Sequence, residues 1–76
     1  MNIKVLGTGC PKCKYLEERV RKVAADNNID IDVEKVTKIN DIMSYGVMMT
    51  PGLVVEGDVK SSGKIPSDEQ ILSWLQ

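Results

Sequence analysis

Apolar and polar positions follow two different periods along the chain, and each change of period marks a new element. Asn2 to Leu6 is a short, partly β-branched apolar run closed by Gly7 and Gly9, which predicts a strand. Lys4 interrupts the run, so one face of that strand is expected to be only partly covered. From Pro11 the spacing becomes three and four. Cys13, Leu16, Val20, Val23, Ala24 and Asn27 share one face, while Glu17, Glu18, Arg19, Arg21 and Lys22 mostly fill the others. This predicts an amphipathic helix of about four turns. Pro11 suits its first position, and Asn27-Asn28 suits its end. Ile29, Ile31, Val33 and Val36 then alternate with Asp30, Asp32 and Glu34, the period of a half-buried strand at a sheet edge. Strand, helix, strand implies parallel pairing with a right-handed crossover.

The second half is built from shorter pieces. Thr37 stands as a cap before Ile39, Ile42 and Met43, whose spacing predicts a short helix ending near Tyr45-Gly46. A loop, Val47 to Gly52, leads into the strand Leu53-Val54-Val55. Glu56-Gly57-Asp58 predicts a tight turn with glycine at positive φ, and Val59 to Ser62 a weaker returning strand, so the two form a hairpin. Ser67 and Gln70 have the spacing of a capping box, with Asp68 and Glu69 at the positive end of a last helix. Ile71, Leu72, Trp74 and Leu75 supply its apolar face, Trp74 as a core anchor. The expected fold is α/β, in the order β-α-β-α-β-β-α, as one domain over residues 1–76 without repeats or linkers.

Composition narrows the function. The formal net charge is −1, so nothing marks a nucleic-acid or membrane surface. No apolar run approaches the ~20 residues that cross a bilayer, and no leader pattern opens the chain. A cytoplasmic monomer is the expectation. Histidine is absent. That excludes Ser-His and Cys-His nucleophiles, an imidazole base and imidazole metal ligands. The two cysteines are too few for a structural zinc site or a disulfide scaffold.

Both cysteines lie in Cys10-Pro11-Lys12-Cys13, at the junction of the first strand and the long helix. The first helical turn favours a negative sulfur through its free backbone N–H groups and the dipole. Lys12 and Lys14 add positive charge, so the Cys10 thiol is expected to be acidified. Cys13 is one turn deeper, near enough to close a Cys10–Cys13 bridge. The expected cycle has Cys10 attack a disulfide and Cys13 resolve the mixed disulfide, with no cofactor beyond the redox-active pair itself. Glu17, one turn beyond Cys13, is either a proton acceptor or, more simply, a solvated helix charge. Met43, Met48 and Met49 are expected to be packing residues rather than copper ligands, and Tyr15 either a shield for the sulfurs or a surface ring. Thr50-Pro51 is the second feature. The residue before proline is held extended, and a cis bond there would leave the Thr50 backbone free to pair with an extended substrate.

The CPKC turn, the element order and Thr50-Pro51 before the hairpin together resemble the thioredoxin superfamily. More closely, the chain is similar to the very small glutaredoxin-like thioredoxins of bacteria and archaea, over nearly its whole length. The resemblance implies a thioredoxin-like fold, with a central four-stranded mixed sheet flanked by three helices. It implies a thiol–disulfide oxidoreductase with Cys10 as nucleophile, Cys13 as resolving thiol and a cis Pro51 facing them. Pro11, Lys12, Thr50 and Pro51 would meet a protein disulfide or dithiol substrate. A flavoprotein disulfide reductase would restore the dithiol. Two departures stand out. Gly9 occupies the position before the first cysteine where most thioredoxins carry tryptophan. Lys4 lies in the region where they bury an acid. The glycine and acidic residues by which glutaredoxins hold glutathione are matched only loosely, by Gly63 and Ser67-Asp68-Glu69.

Two rivals remain open on the residues. A Cu(I) carrier uses the same CxxC because thiolates suit soft cations, but its fold runs β-α-β-β-α-β and ends in a strand. A thioredoxin-fold module that only binds proteins has no need of an intact thiol pair.

Overall fold

In the computed structural model, which describes residues 1–9 and 11–76, the chain follows the predicted order of elements. Cys10, the expected attacking thiol, lies outside the described residues. Strand β1 (Asn2–Leu6) leads through a glycine loop to helix α1 (Pro11–Asp26) and returns as β2 (Asp32–Val36). The short α2 (Ile39–Ser44) precedes the hairpin β3 (Gly52–Val55) and β4 (Asp58–Ser62), and α3 (Asp68–Leu75) closes the chain. The four strands form one sheet in the order β2-β1-β3-β4. β1 pairs parallel with β2 and antiparallel with β3, which pairs antiparallel with β4. This is the mixed sheet with three helices that the family resemblance implies.

The central strands explain themselves by burial. All four residues of β3 are buried, as expected for a continuous apolar run covered on both faces. Ile3, Val5, Leu53 and Val55 face the larger core, against Leu16, Val20, Val23 and Ala24 of α1 and Ile71 and Leu75 of α3. Leu6 and Val54 face the smaller core, with Ile42 of α2 and Val47. Thus α1 and α3 share one side of the sheet and α2 half-covers the other. Lys4 belongs to the α2 side, in register with Val54. There its ammonium donates to the Tyr45 hydroxyl at 3.0 Å and sits 3.9 Å from Glu34.

Local signals set the element ends. α1 stops where Asn28 takes a φ of 55°. Ile29 N then donates to Ala24 O at 2.8 Å and Asn28 N to Ala25 O at 3.3 Å, the paired closure that satisfies the last carbonyls of a helix. β2 begins at Asp32 because its ladder with β1 starts at Asn2↔Asp32. Ile29 and Ile31 precede the strand yet still pack on the core. The hairpin turns through Glu56 (φ 50°) and Gly57 (φ 85°), the left-handed pair that matches strand twist. Pairing then shifts from Val54↔Val59 to Leu53↔Ser61, leaving Lys60 as a bulge. The capping box is present at α3: Gln70 N donates to Ser67 Oγ at 3.2 Å and Ser67 N to Gln70 Oε1 at 3.1 Å. Arg19 clips α1 to α3 by a forked pair of bonds to the Asp68 carboxylate.

Two expectations are corrected. Thr37 does not cap α2. The cap position is Lys38, which has extended backbone and no side-chain cap bond. The first helical bond runs from Ile42 N to Lys38 O, which leaves Thr37 a residue too early. The methionines are not packing residues: Met43, Met48 and Met49 are 60 %, 92 % and 67 % exposed. Trp74 is half-buried and packs against the larger core as an anchor. Among the described residues, no helix is long and apolar enough to cross a membrane.

Candidate active site

The site is built where β1 ends. Gly7 N donates to Val36 O at 2.9 Å, which fixes the end of β1 to the end of β2 and turns the chain toward α1. Gly9 has a φ of 90°, a backbone region that only glycine adopts cheaply. This accounts for the missing tryptophan. At position 9 the constraint is the backbone, since a Cβ there would meet open space. α1 then begins at Pro11, with no acidic residue in its first turn. Pro11, Lys12 and Lys14 are exposed, as expected for Lys12. The positive end of the helix, unopposed by a local carboxylate, favours anionic sulfur nearby.

Cys13 is buried at the top of the apolar face of α1. Its sulfur lies directly over Gly7: a Cβ built on Gly7 would stand 2.2 Å from Cys13 Sγ and 3.7 Å from Thr50 Cβ. Residues far apart in sequence therefore converge on one point. The Thr50–Pro51 peptide is cis, Pro51 is fully buried, and Pro51 O accepts from Gly63 N at 2.9 Å.

Two cavities flank this point. The first, of about 40 Å³, is lined by Val5, Gly7, Gly9, Cys13, Lys14, Glu17, Lys35 and Thr37. It has room for one or two water molecules. Glu17 stands on its wall four residues after Cys13, and residues so spaced are neighbours on a helix. Its side chain is only 15 % exposed, so it is not the freely solvated helix charge that the spacing alone favours. Lys35 of β2 reaches its Oε1 at 3.1 Å, and Arg21 reaches its Oε2 at 3.0 Å. The hydrogen bond from Lys35 is the largest influence holding the Glu17 carboxyl below the usual range. Burial opposes it, and the bond from Arg21 adds to it. Glu17 is therefore a carboxylate at neutral pH, near a thiol. Lys4, by contrast, projects from the opposite face of the sheet to Val5 and takes no part.

The second cavity is an open apolar cleft of about 290 Å³ on the other side of the turn. Thr8, Ile39, Ile42, Met43, Val47, Met48 and Thr50 line it. It runs from the thiol loop past Thr50 to the exposed side of α2. Tyr15 is half exposed and lines neither cavity. Sequence reasoning did not find Gly7, Lys35, Thr37 or the methionines as site residues. The four-residue spacing of Cys13 and Glu17 was visible, but nothing local ties Lys35 to either.

Comparison with known proteins agrees with this geometry. The whole chain, residues 1–76, matches the family defined by a thioredoxin domain. It is similar to a thioredoxin of Methanothermobacter thermautotrophicus, 37 % identical over 75 residues, covering 99 % of this chain and 97 % of the relative. It is also similar to a thioredoxin of Methanocaldococcus jannaschii, 42 % identical over 74 residues and covering 97 % and 85 % respectively. The chain belongs to the thioredoxin-domain family, a family of thiol–disulfide oxidoreductases.

Proposed function

We propose that this oxidoreductase acts on protein disulfides through Cys10 and Cys13. The observation that carries the reading is the burial of Cys13 at the junction of the β1 end, the first turn of α1 and the cis Thr50–Pro51 loop. Cys10 attacks as the thiolate. The substrate S–S bond breaks, one substrate sulfur leaves as thiolate, and a mixed disulfide forms. Cys13 loses its proton and attacks Cys10, expelling the second substrate thiolate and leaving a Cys10–Cys13 bridge. Two electrons pass from the dithiol to the substrate. The Cys13 proton passes to water in the cavity that Cys13 shares with Glu17, which Lys35 and Arg21 hold ionised and make only a weak proton acceptor. The substrate chain lies extended along Thr50 and Pro51, past Pro11 and Lys12, with an apolar side chain in the methionine-lined cleft.

The pair needs no further cofactor in this reading. A flavoprotein disulfide reductase or an equivalent dithiol donor restores the reduced form. A reducing cytoplasm suits a pair that must be returned to the dithiol after each turnover, and the protein acts there as a monomer.

The test is redox titration of the wild type and Cys10→Ser, with mass spectrometry of the thiol species. The wild type forms a Cys10–Cys13 bridge at a defined potential, and Cys13→Ser accumulates a mixed disulfide with its substrate. Absence of the bridge together with tight Cu(I) binding would overturn the proposal in favour of a metal carrier.

A further inference from the structure

We infer that Gly7 is a positioning residue for the resolving thiol, and that it is glycine because the Cys13 sulfur occupies the space of its missing side chain. The inference rests on the role proposed for Cys13. Four glycines, Gly9, Gly46, Gly57 and Gly63, have positive φ. Gly7 is not among them, so its backbone conformation is one that other residues adopt. What it lacks is room. A Cβ at Gly7 would lie 2.2 Å from Cys13 Sγ and 3.3 Å from Cys13 Cβ. The first distance is far inside van der Waals contact and the second is merely tight.

Neither backbone can withdraw from this contact, so the side chain of Cys13 must give way. Gly7 is tied to Val36 by its 2.9 Å backbone bond. Cys13 is carried on a helix whose next inward residue, Leu16, is completely buried. The Cys13 side chain would have to leave its position for another staggered well, and helical backbone makes one of those wells costly. Any such move takes the sulfur away from the end of β1, and so changes its approach to the mixed disulfide. Gly52 makes an instructive contrast. A Cβ there would meet Leu6 carbons at 3.2 to 3.4 Å, a packing restraint with no reactive atom involved. At Gly7 the excluded atom is a thiol sulfur.

The consequence is a defect confined to one chemical step. Gly7→Ala should leave the first attack by Cys10 unchanged and slow resolution by Cys13, by on the order of 100-fold for a misplacement of about 1 Å. The experiment is stopped-flow reaction of the fully reduced protein with 5,5′-dithiobis(2-nitrobenzoate). Attack by Cys10 breaks the reagent's S–S bond and releases one nitrothiobenzoate. Resolution by Cys13, which gives up its proton, releases a second and leaves the intramolecular disulfide.

The wild type should release two coloured thiolates per chain, and Gly7→Ala should show a normal first release with a slow second one. Equal second phases in both proteins would overturn the inference. Failure of the wild type to release a second thiolate would instead overturn the reading of the Cys10–Cys13 pair. Folding is controlled by the same contact. Gly7→Ala should lower the melting temperature by on the order of 10 °C through overpacking. In a Cys13→Ala background, where the sulfur is gone, most of that loss should disappear. An undiminished loss in that background would show that Gly7 is glycine for another reason, and would overturn the inference even if the single variant did not fold.

Discussion

Glu17 offers the sharpest test of the electrostatics beside the thiol. Glu17→Gln keeps the shape of the side chain and removes its charge. In the native protein that charge meets Lys35 at 3.1 Å and Arg21 at 3.0 Å. Glu17 is mostly buried, but Lys35 and Arg21 are 57 % and 55 % exposed, so solvent screens both pairs. Each is worth about 0.2–1 kcal/mol, giving a combined loss of about 1 kcal/mol. In a domain of this size that lowers the melting temperature by roughly 4–8 °C. The pH dependence carries the sign. The folded-state pKa of Glu17 is depressed, chiefly by Lys35, from an ordinary value of 4.5. The unfolded chain therefore takes up the proton first, and stability is lost as the pH falls. The difference between wild type and variant should be full above the ordinary value and should shrink as the pH drops through the depressed one. Urea melts of both proteins at neutral pH and through the acid range measure it directly. A difference that persists undiminished in strong acid, or grows there, would refute the assignment. So would Lys35→Met if it left the Glu17→Gln effect at its original size.

Other changes address single features. Gly9→Ala should cost about 1–2 kcal/mol through its positive φ alone, since a Cβ there has open space; a neutral result in urea melts would contradict the backbone account of the absent tryptophan. Ser67→Ala removes one half of the capping box and should cost about 1 kcal/mol by the same measurement. Replacing Met43 and Met48 together by Gln should raise KM for a protein disulfide on the order of tenfold. The rate with a small disulfide should stay unchanged, because in the proposed binding mode only a protein substrate reaches the cleft.

The elements were legible because each has a local cause. The spacing of Cys13, Leu16, Val20 and Val23 describes a face that must be buried, and α1 buries it. Glu56-Gly57 and Ser67 with Gln70 are turn and cap chemistry that operates over a few residues. The cis bond at Thr50–Pro51 and the roles expected near it came from family resemblance, not from the dipeptide. Local reasoning failed where two candidates had similar local merit. Thr37 has the right chemistry for a cap, but the helix starts one residue later. Met43 and Met48 are apolar, and apolarity does not distinguish a core residue from one lining an open cleft.

By itself the sequence determined which residues seek burial, where the chain must turn, and that Cys13 stands in the first turn of a helix. These follow from side-chain periodicity and backbone chemistry within one or two turns. Only the tertiary structure decided the strand order β2-β1-β3-β4, which sets Val36 beside Gly7 and Thr50 beside Cys13. It also decided that Lys35, 18 residues after Glu17, reaches across to neutralise it. The physical reason is the same in each case. Periodicity specifies that a face will be covered, but not by what, and the space beneath the Cys13 sulfur exists only once β1 and α1 have packed.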